Sequence, residues 1–127
     1  EFIEWCLLDK FKDNIGLVSI DDVADLVSDV NDLKECNALV QKLLEWTDKT
    51  QCHLSTILHS NFGSDKPTGH LGSAVMKKAE TVCILEYSEQ HTTVKFKYTR
   101  GFPITDVAFS IDSNGMPYTI ELEQLNF

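Results

Sequence analysis

The sequence has 127 residues, 43% of them hydrophobic and 24% charged, which is the balance of an ordinary globular domain. The net charge of −9 argues against a free-standing nucleic-acid binder, because such proteins usually present a basic face. No run approaches the roughly 18 apolar residues of a membrane span, and the acidic start Glu1–Glu4 lacks the basic region of a signal peptide. We therefore expect a cytoplasmic protein without a membrane partner. Its four cysteines form no C-x-x-C pair and are predicted to be buried and reduced.

The first half of the chain predicts a βαβ unit. Residues 2–12 have helical spacing of apolar side chains, and the run Ile15–Ile20 is typical of a strand buried in a parallel sheet. A long helix is predicted over 33–49, with Asp32 as its N-cap and Glu35 as the partner in a capping box. The stretch QCHLSTILHS then predicts a second buried strand, so we expect parallel strands joined by a right-handed helical crossover.

The second half of the chain predicts mainly strands. A loop rich in Gly, Pro, Ser and Asp covers Asn61–Gly69, and a helix is predicted over 71–79. TVCILEY predicts a third apolar strand, and TTVKFKYTR alternates as a half-exposed strand does. The final hairpin has Asn114 and Gly115 in its turn. The predicted fold is one α/β domain over residues 1–127, with parallel strands and crossovers first, antiparallel strands next, and a C-terminal hairpin.

Polar side chains follow both predicted parallel strands. Asp21 and Asp22 come directly after LVSI, and His59 and Asn61 follow the next strand. Because neighbouring parallel strands end on one rim of a sheet, these groups could share a ligand. A strand that delivers a carboxylate is what a Walker B segment needs to hold Mg²⁺ through water, although the same pattern also marks a helix N-cap. His59 and Asn61 suit either a γ-phosphate sensor or a plain loop.

Arg100 ends the alternating strand and precedes Gly101, Phe102 and Pro103. An arginine at a strand end could stabilise phosphate charge across a subunit interface, or it could simply cap an exposed strand. The stretch GHLGS lacks the Lys-Ser/Thr ending of a phosphate loop. The sequence contains neither G-x-x-x-x-G-K-[ST] nor G-x-S-x-G, so a Walker A loop and a serine-hydrolase elbow are both missing from it.

In their order and spacing, four stretches resemble the second half of a RecA-like P-loop ATPase core. LVSIDDVADLVSDVND resembles the Walker B strand and the loop after it, and HLSTILHSN resembles the following sensor strand. TGHLGSAVMKKAETVCIL resembles the segment after the DNA-binding loop, and YTRGFP resembles the arginine-finger strand end. The resemblance covers residues 15–112 and is to the DnaB-type and plasmid-replication helicase branch, in the versions carried by Bacteroidales genomes and their mobilisable elements.

The resemblance implies a hydrolase that binds ATP and Mg²⁺ between the subunits of a ring and moves along single-stranded DNA. It assigns Asp21, partnered by Asp22, to the nucleotide-bound magnesium, which it holds through water. It assigns His59 or Asn61 to sensing the γ-phosphate, although the family usually has Gln at the position of His59. Arg100 would be the finger that reaches the neighbouring subunit.

The resemblance also implies a DNA-contacting loop over Phe62–Thr68, with Lys66 and the nearby His70 as candidates. The family's Walker A lysine and catalytic glutamate have no counterpart in the chain, and the first residue is not Met. We therefore expect the C-terminal part of a longer ATPase, inactive by itself and without bound metal or nucleotide.

The alternative that stays open is a non-catalytic, truncated or degenerate ATPase-like interaction module of a mobile-element complex. In either case a cut core leaves a sheet edge and an apolar face uncovered. We therefore predict self-association, as a dimer in isolation and as a ring in the parent protein.

Overall fold

The computed structural model of the chain describes residues 1–60 and 67–122. The fold is mixed α/β, with a two-stranded parallel sheet and a four-stranded antiparallel sheet. The chain divides into two compact units, Glu1–Lys78 and Ala79–Phe127, where the sequence predicts one domain. Among the described residues, no helix has the length and apolar character needed to cross a membrane.

The first unit has the predicted strand–helix–strand order. The N-terminal helix α1 covers Phe2–Trp5 and continues as a π-helical turn, and a 3-10 turn follows the first strand. The elements of this unit are α1 Phe2–Trp5, the π-helical turn Cys6–Lys10, β1 Leu17–Ile20, the 3-10 turn Val23–Leu26, α2 Leu33–Thr50, β2 His53–Thr56 and α3 Gly69–Lys78. The predicted helix over 33–49 and the parallel pairing of the two strands are confirmed. The predicted burial of the strands is wrong: Leu17 of β1 is 64% exposed and β2 has no buried residue, because each strand is an edge of a two-stranded sheet.

A closed hydrophobic core lies in the first unit. Helix α2 contributes one apolar stripe at helical spacing, and α3 packs against it through the fully buried Leu71. Cys36 of α2 is fully buried as well, and burial raises the pKa of its thiol. The buried members of this core are Leu7, Ile20, Val23, Cys36, Leu39, Val40, Leu43, Trp46, Leu71 and Ala74.

The start of α2 confirms half of the predicted capping box. The Asp32 side chain accepts a hydrogen bond from the Glu35 backbone N–H at 2.7 Å. The reciprocal bond predicted for Glu35 is wrong, because the Asp32 N–H already donates to the Asp29 carbonyl at 3.1 Å. The Glu35 carboxylate instead accepts from the Ser28 hydroxyl at 2.7 Å and from the Ser28 N–H at 3.0 Å. These bonds lower the pKa of Glu35 and tie the approaching loop to the helix.

The second unit contains the antiparallel sheet in the order β3-β4-β5-β6. The predicted hairpin is confirmed: the Asp112 side chain accepts from the N–H groups of Asn114 and Met116, and Gly115 has a φ of +80°. A positive φ is readily available to glycine, which explains its place in the turn. The strands are β3 Thr81–Tyr87, β4 Thr92–Thr99, β5 Val107–Ile111 and β6 Pro117–Ile120.

The apolar sequence of β3 does not mean that the strand is buried. Cys83, Leu85 and Tyr87 alternate along β3 and are all exposed. The prediction that every cysteine is buried is therefore wrong for the exposed Cys83 and for the half-buried Cys6, while Cys36 and Cys52 are buried as expected. The physical reason is that these alternate side chains share one face of the sheet, on which Val107 and Ile111 of the inner strand β5 are exposed as well.

Candidate functional site

The parallel strands β1 and β2 end at the same level of the sheet. They pair in register from Leu17 opposite His53 to Ile20 opposite Thr56, and α2 connects them. The residues that follow Ile20 and Thr56 therefore emerge on one rim, as the sequence predicts. In α/β proteins this rim is the usual place for a ligand.

Two backbone hydrogen bonds hold the Asp21–Asp22 dipeptide against the end of β2. The Ile57 N–H donates to the Ile20 carbonyl at 3.0 Å, and the Val23 N–H donates to the Ile57 carbonyl at 3.1 Å. The peptide bond between Asp21 and Asp22 is cis. Because the two bonds flank the dipeptide, the main chain fixes where both carboxylates leave the strand.

Asp22 serves as a cap and as the neighbour of a histidine. Its Oδ1 accepts a hydrogen bond from the Ala24 N–H at 2.8 Å, which caps the 3-10 turn. Its Oδ2 lies 3.9 Å from the Nε2 of His59, too long for a hydrogen bond but within reach of an electrostatic contact. The Asp22 side chain is 16% exposed, whereas the His59 side chain is 84% exposed. The cap and the ligand-rim interpretations of this strand end are therefore compatible.

Asp21 offers an exposed carboxylate at the same strand end. The described residues contain no group of three or more His, Cys, Asp or Glu side chains that could enclose a metal ion. A single carboxylate suits Mg²⁺, since this ion keeps several of its waters and is often bound through one or two carboxylates. Asp21 could therefore contribute one ligand to a hydrated magnesium ion, whereas the sequence contains no G-x-x-x-x-G-K-[ST] loop of the kind that cradles the phosphates of ATP.

Arg100 directly follows β4 in the second unit. Its Nε donates a hydrogen bond to the Ala79 carbonyl at 2.9 Å, and its backbone N–H donates to the Glu80 carbonyl at 2.9 Å. Both acceptors belong to the segment that leads into β3. The guanidinium is thus oriented by its own unit, whereas Asp21, Asp22 and His59 belong to the first unit.

The remaining predicted site residues lie around the loop that precedes α3. Asn61 and Lys66 lie outside the described residues. His70 is the second residue of α3 and is half-buried, and its Nε2 is shielded from solvent without a hydrogen-bond partner among the described residues. The DNA contact expected of His70 stays a prediction.

The sequence analysis missed two groups that position the rim. One is the Ala24 N–H, which holds the Asp22 carboxylate, and the other is the Ile57 backbone, which holds the dipeptide. The bond from the Ala24 N–H could have been predicted, because Asp22 lies two residues before Ala24, which is the spacing of an Asx turn. The bonds of the Ile57 backbone could not have been predicted, since they depend on which strand pairs with β1.

Comparisons of the chain with protein-family models, with curated proteins and with solved structures found no match. The resemblance to RecA-like ATPases therefore stays a prediction from four stretches of sequence. What the fold adds to it is the parallel strand pair and the side chains at its rim.

Proposed function

We propose that the first unit supplies the strand-end half of an ATP-hydrolysing site in a RecA-like helicase of DNA replication or mobilisation. The observation that carries this proposal is the approach of Asp22 Oδ2 to His59 Nε2, 3.9 Å apart, at the shared rim of β1 and β2. A carboxylate and an imidazole on that rim are suited to a ligand that carries phosphate and magnesium.

Each rim residue has a distinct part in this proposal. Asp21 would hold the hydrated magnesium ion, which offsets phosphate charge when it is bound. Asp22 is a positioning residue, because one oxygen is fixed by the Ala24 N–H while the other faces His59. The exposed ring of His59 would donate to a γ-phosphate oxygen or orient the attacking water. Arg100 would exchange its bond to the Ala79 carbonyl for a phosphate of the neighbouring subunit.

The test is magnesium-dependent ATP turnover by the intact protein. We expect Asp21→Asn and Arg100→Ala each to lower turnover by about 100-fold or more. Asp25→Asn is the matched control for Asp21→Asn, because Asp25 is an exposed aspartate of the following 3-10 turn and loses the same charge. The 127-residue chain alone should show no turnover. Unchanged turnover in both site variants would remove the assigned roles.

A mixing experiment tests whether Arg100 acts on the site of the neighbouring subunit or on the site of its own subunit. Asp21→Asn subunits retain Arg100, and Arg100→Ala subunits retain Asp21. If the arginine serves the neighbouring site, mixed rings regain part of the turnover that both parents lack. Absence of any recovery in verified mixed rings would contradict action across the interface.

A second candidate function is a non-catalytic interaction module of a mobile-element complex. The observation that favours it is the exposure of Leu85, Tyr87 and Val107 in the second unit, since large apolar surfaces usually mark contacts with other chains. This function predicts that the intact protein joins its complex equally well with or without Asp21→Asn and that it turns over no ATP. Turnover abolished by Asp21→Asn would exclude it.

A further inference from the structure

One face of the antiparallel sheet carries no charged side chain among its described residues. In antiparallel strands, directly opposed residues share a face, so the strand register defines its members. Leu85 opposes Val94, Val94 opposes Val107, and Phe109 opposes Thr119. With their alternate neighbours, these residues form what we call the neutral face: Cys83, Leu85, Tyr87, Thr92, Val94, Phe96, Val107, Phe109, Ile111, Pro117 and Thr119.

The neutral face is both apolar and open. Tyr87 is 81% exposed and Ile111 is 54% exposed, and Leu85 and Val107 are exposed as well. A sheet with one apolar face is stable in water when a second layer covers that face. Over residues 79–121 the second unit consists of strands, turns and loops, so this stretch contains no helix that could form the layer.

The opposite face of the sheet has a different character. Glu86 and Lys95 form an ion pair there at 2.6 Å, and the Ser110 hydroxyl donates to the Gln90 carbonyl at 2.8 Å. Alternation places Tyr118 on this face, opposite Ser110. The opposite face also carries Ala108, which is buried, so the two faces differ in charge, and the neutral face is the one whose large apolar side chains are exposed.

We propose that the neutral face is the surface through which two copies of this chain associate. The chain carries a net charge of −9, so most contacts between copies bring carboxylates together. The neutral face avoids this repulsion, and an identical patch on two chains is self-complementary about a two-fold axis. Two such sheets would pack as the layers of a β-sandwich, roughly 10 Å apart. This surface is separate from the strand-end rim, so the inference goes beyond the proposed ATP site.

The size of the neutral face predicts a weak dimer. Strands spaced about 4.8 Å apart, each with about five residues at roughly 3.3 Å, outline an area on the order of 300 Å² for the four strands. Two copies would bury about twice this outline, on the order of 600 Å², which is below the roughly 1,200 Å² of stable specific interfaces and therefore indicates a weak, transient contact. We expect a dissociation constant on the order of tens of micromolar.

The first measurement is sedimentation of the 127-residue chain from about 1 to about 300 µM. We expect the mass to rise from monomer to dimer across this range. Cys83 lies on the neutral face and is exposed, so its alkylation, followed by peptide mass spectrometry, should slow as the dimer forms. The buried Cys36 and Cys52 provide internal references that should react slowly at all concentrations.

Matched charge insertions then locate the contact. Ile111→Lys places a charge on the neutral face, whereas Tyr118→Lys places the same charge on the opposite face of the adjacent strand. The two side chains are equally exposed, at 54% and 53%. We expect Ile111→Lys to weaken the dimer at least about tenfold and Tyr118→Lys to leave it within about twofold. Circular dichroism checks folding, and Tyr87→Lys replaces Ile111→Lys if that variant fails to fold.

Several results would overturn the proposal. If the chain stays monomeric throughout the concentration range, a second copy does not cover the neutral face. A monomer in which Cys83 is already protected shows that another part of the same chain covers the face. A dimer that responds equally to Ile111→Lys and Tyr118→Lys uses a different surface, and open-ended assembly contradicts the two-fold contact. None of these results bears on ATP turnover, which tests the proposed function separately.

Discussion

The two units of the chain use their hydrophobic residues in opposite ways. In the first unit, Val23, Cys36 and Leu71 are fully buried in a core that helix α2 helps to close. In the described part of the second unit, Ala108 is the one buried hydrophobic residue, while Leu85 and other large side chains are exposed. A unit that encloses its core is stabilised from within. A sheet with an exposed apolar face gains stability when a second layer covers that face.

The largest expected effect separates a buried leucine from an exposed one. Leu71→Ala should lower the free energy of unfolding of the first unit by about 4 kcal/mol, because it leaves a cavity in a closed core. Leu85→Ala removes the same atoms from an exposed site and should cost less than about 1 kcal/mol. Urea unfolding followed by tryptophan fluorescence reports the first unit, which contains both Trp5 and Trp46.

Hydrogen exchange of β3 and β4 peptides reports the second unit in the same experiment. It should change little in either variant at concentrations where the chain is monomeric. A loss for Leu85→Ala as large as that for Leu71→Ala would show that the second unit encloses a core of its own, and the contrast between the units would fail.

Two glycines with similar backbone angles sharpen the contrast. Gly69 has a φ of +67°, and a Cβ there would lie 2.8 Å from both the Cγ2 and the carbonyl oxygen of Val30. Gly115 has a φ of +80°, with open space around the same position. Alanine at either site should cost about 1 kcal/mol in backbone strain. The clash adds to this at Gly69, so we expect about 3 kcal/mol for Gly69→Ala and about 1 kcal/mol for Gly115→Ala.

Chemical denaturation with unit-resolved hydrogen exchange measures both variants. Equal losses at the two positions would mean that the loop at Val30 moves aside for the added methyl group. In that case the close packing of the first unit would not extend to the start of α3.

The elements that sequence predicted well are those with strong local signals. The Asp32 cap fixes the start of α2, alternation identifies β4, and Asn114-Gly115 places the last turn. The division of the strands into two sheets was not predicted, since pairing joins residues far apart in the chain. The exposed face of β3 was missed because an apolar strand sequence does not reveal whether a second layer covers it.

In the candidate site too, some features could be predicted from the sequence and others depend on the folded geometry. That Asp22 and His59 share a rim followed from the parallel order of β1 and β2, and the structure places them 3.9 Å apart. Which oxygen of Asp22 caps the 3-10 turn depends on local geometry that the sequence suggests only weakly. The bond from Arg100 to the Ala79 carbonyl could not be predicted, because it depends on how the end of β4 meets the segment before β3.

The smallest expected effect is a difference in acid sensitivity between the units. Bonds from the Ser28 hydroxyl and N–H hold the pKa of Glu35 below its ordinary 4.5, and bonds from the N–H groups of Met116 and Asn114 hold the pKa of Asp112 below its ordinary 3.8. A carboxylate with a lowered pKa stabilises the fold fully above its ordinary value, and this contribution is lost as pH falls through the lowered value. The first unit should therefore begin to weaken just below pH 4.5 and the second below pH 3.8.

Tryptophan fluorescence follows the first unit, and hydrogen exchange of β5 and β6 peptides follows the second. Glu35→Gln should flatten the decline of the first unit and leave the second unchanged, whereas an unchanged slope would show that Glu35 does not stabilise the fold through its charge.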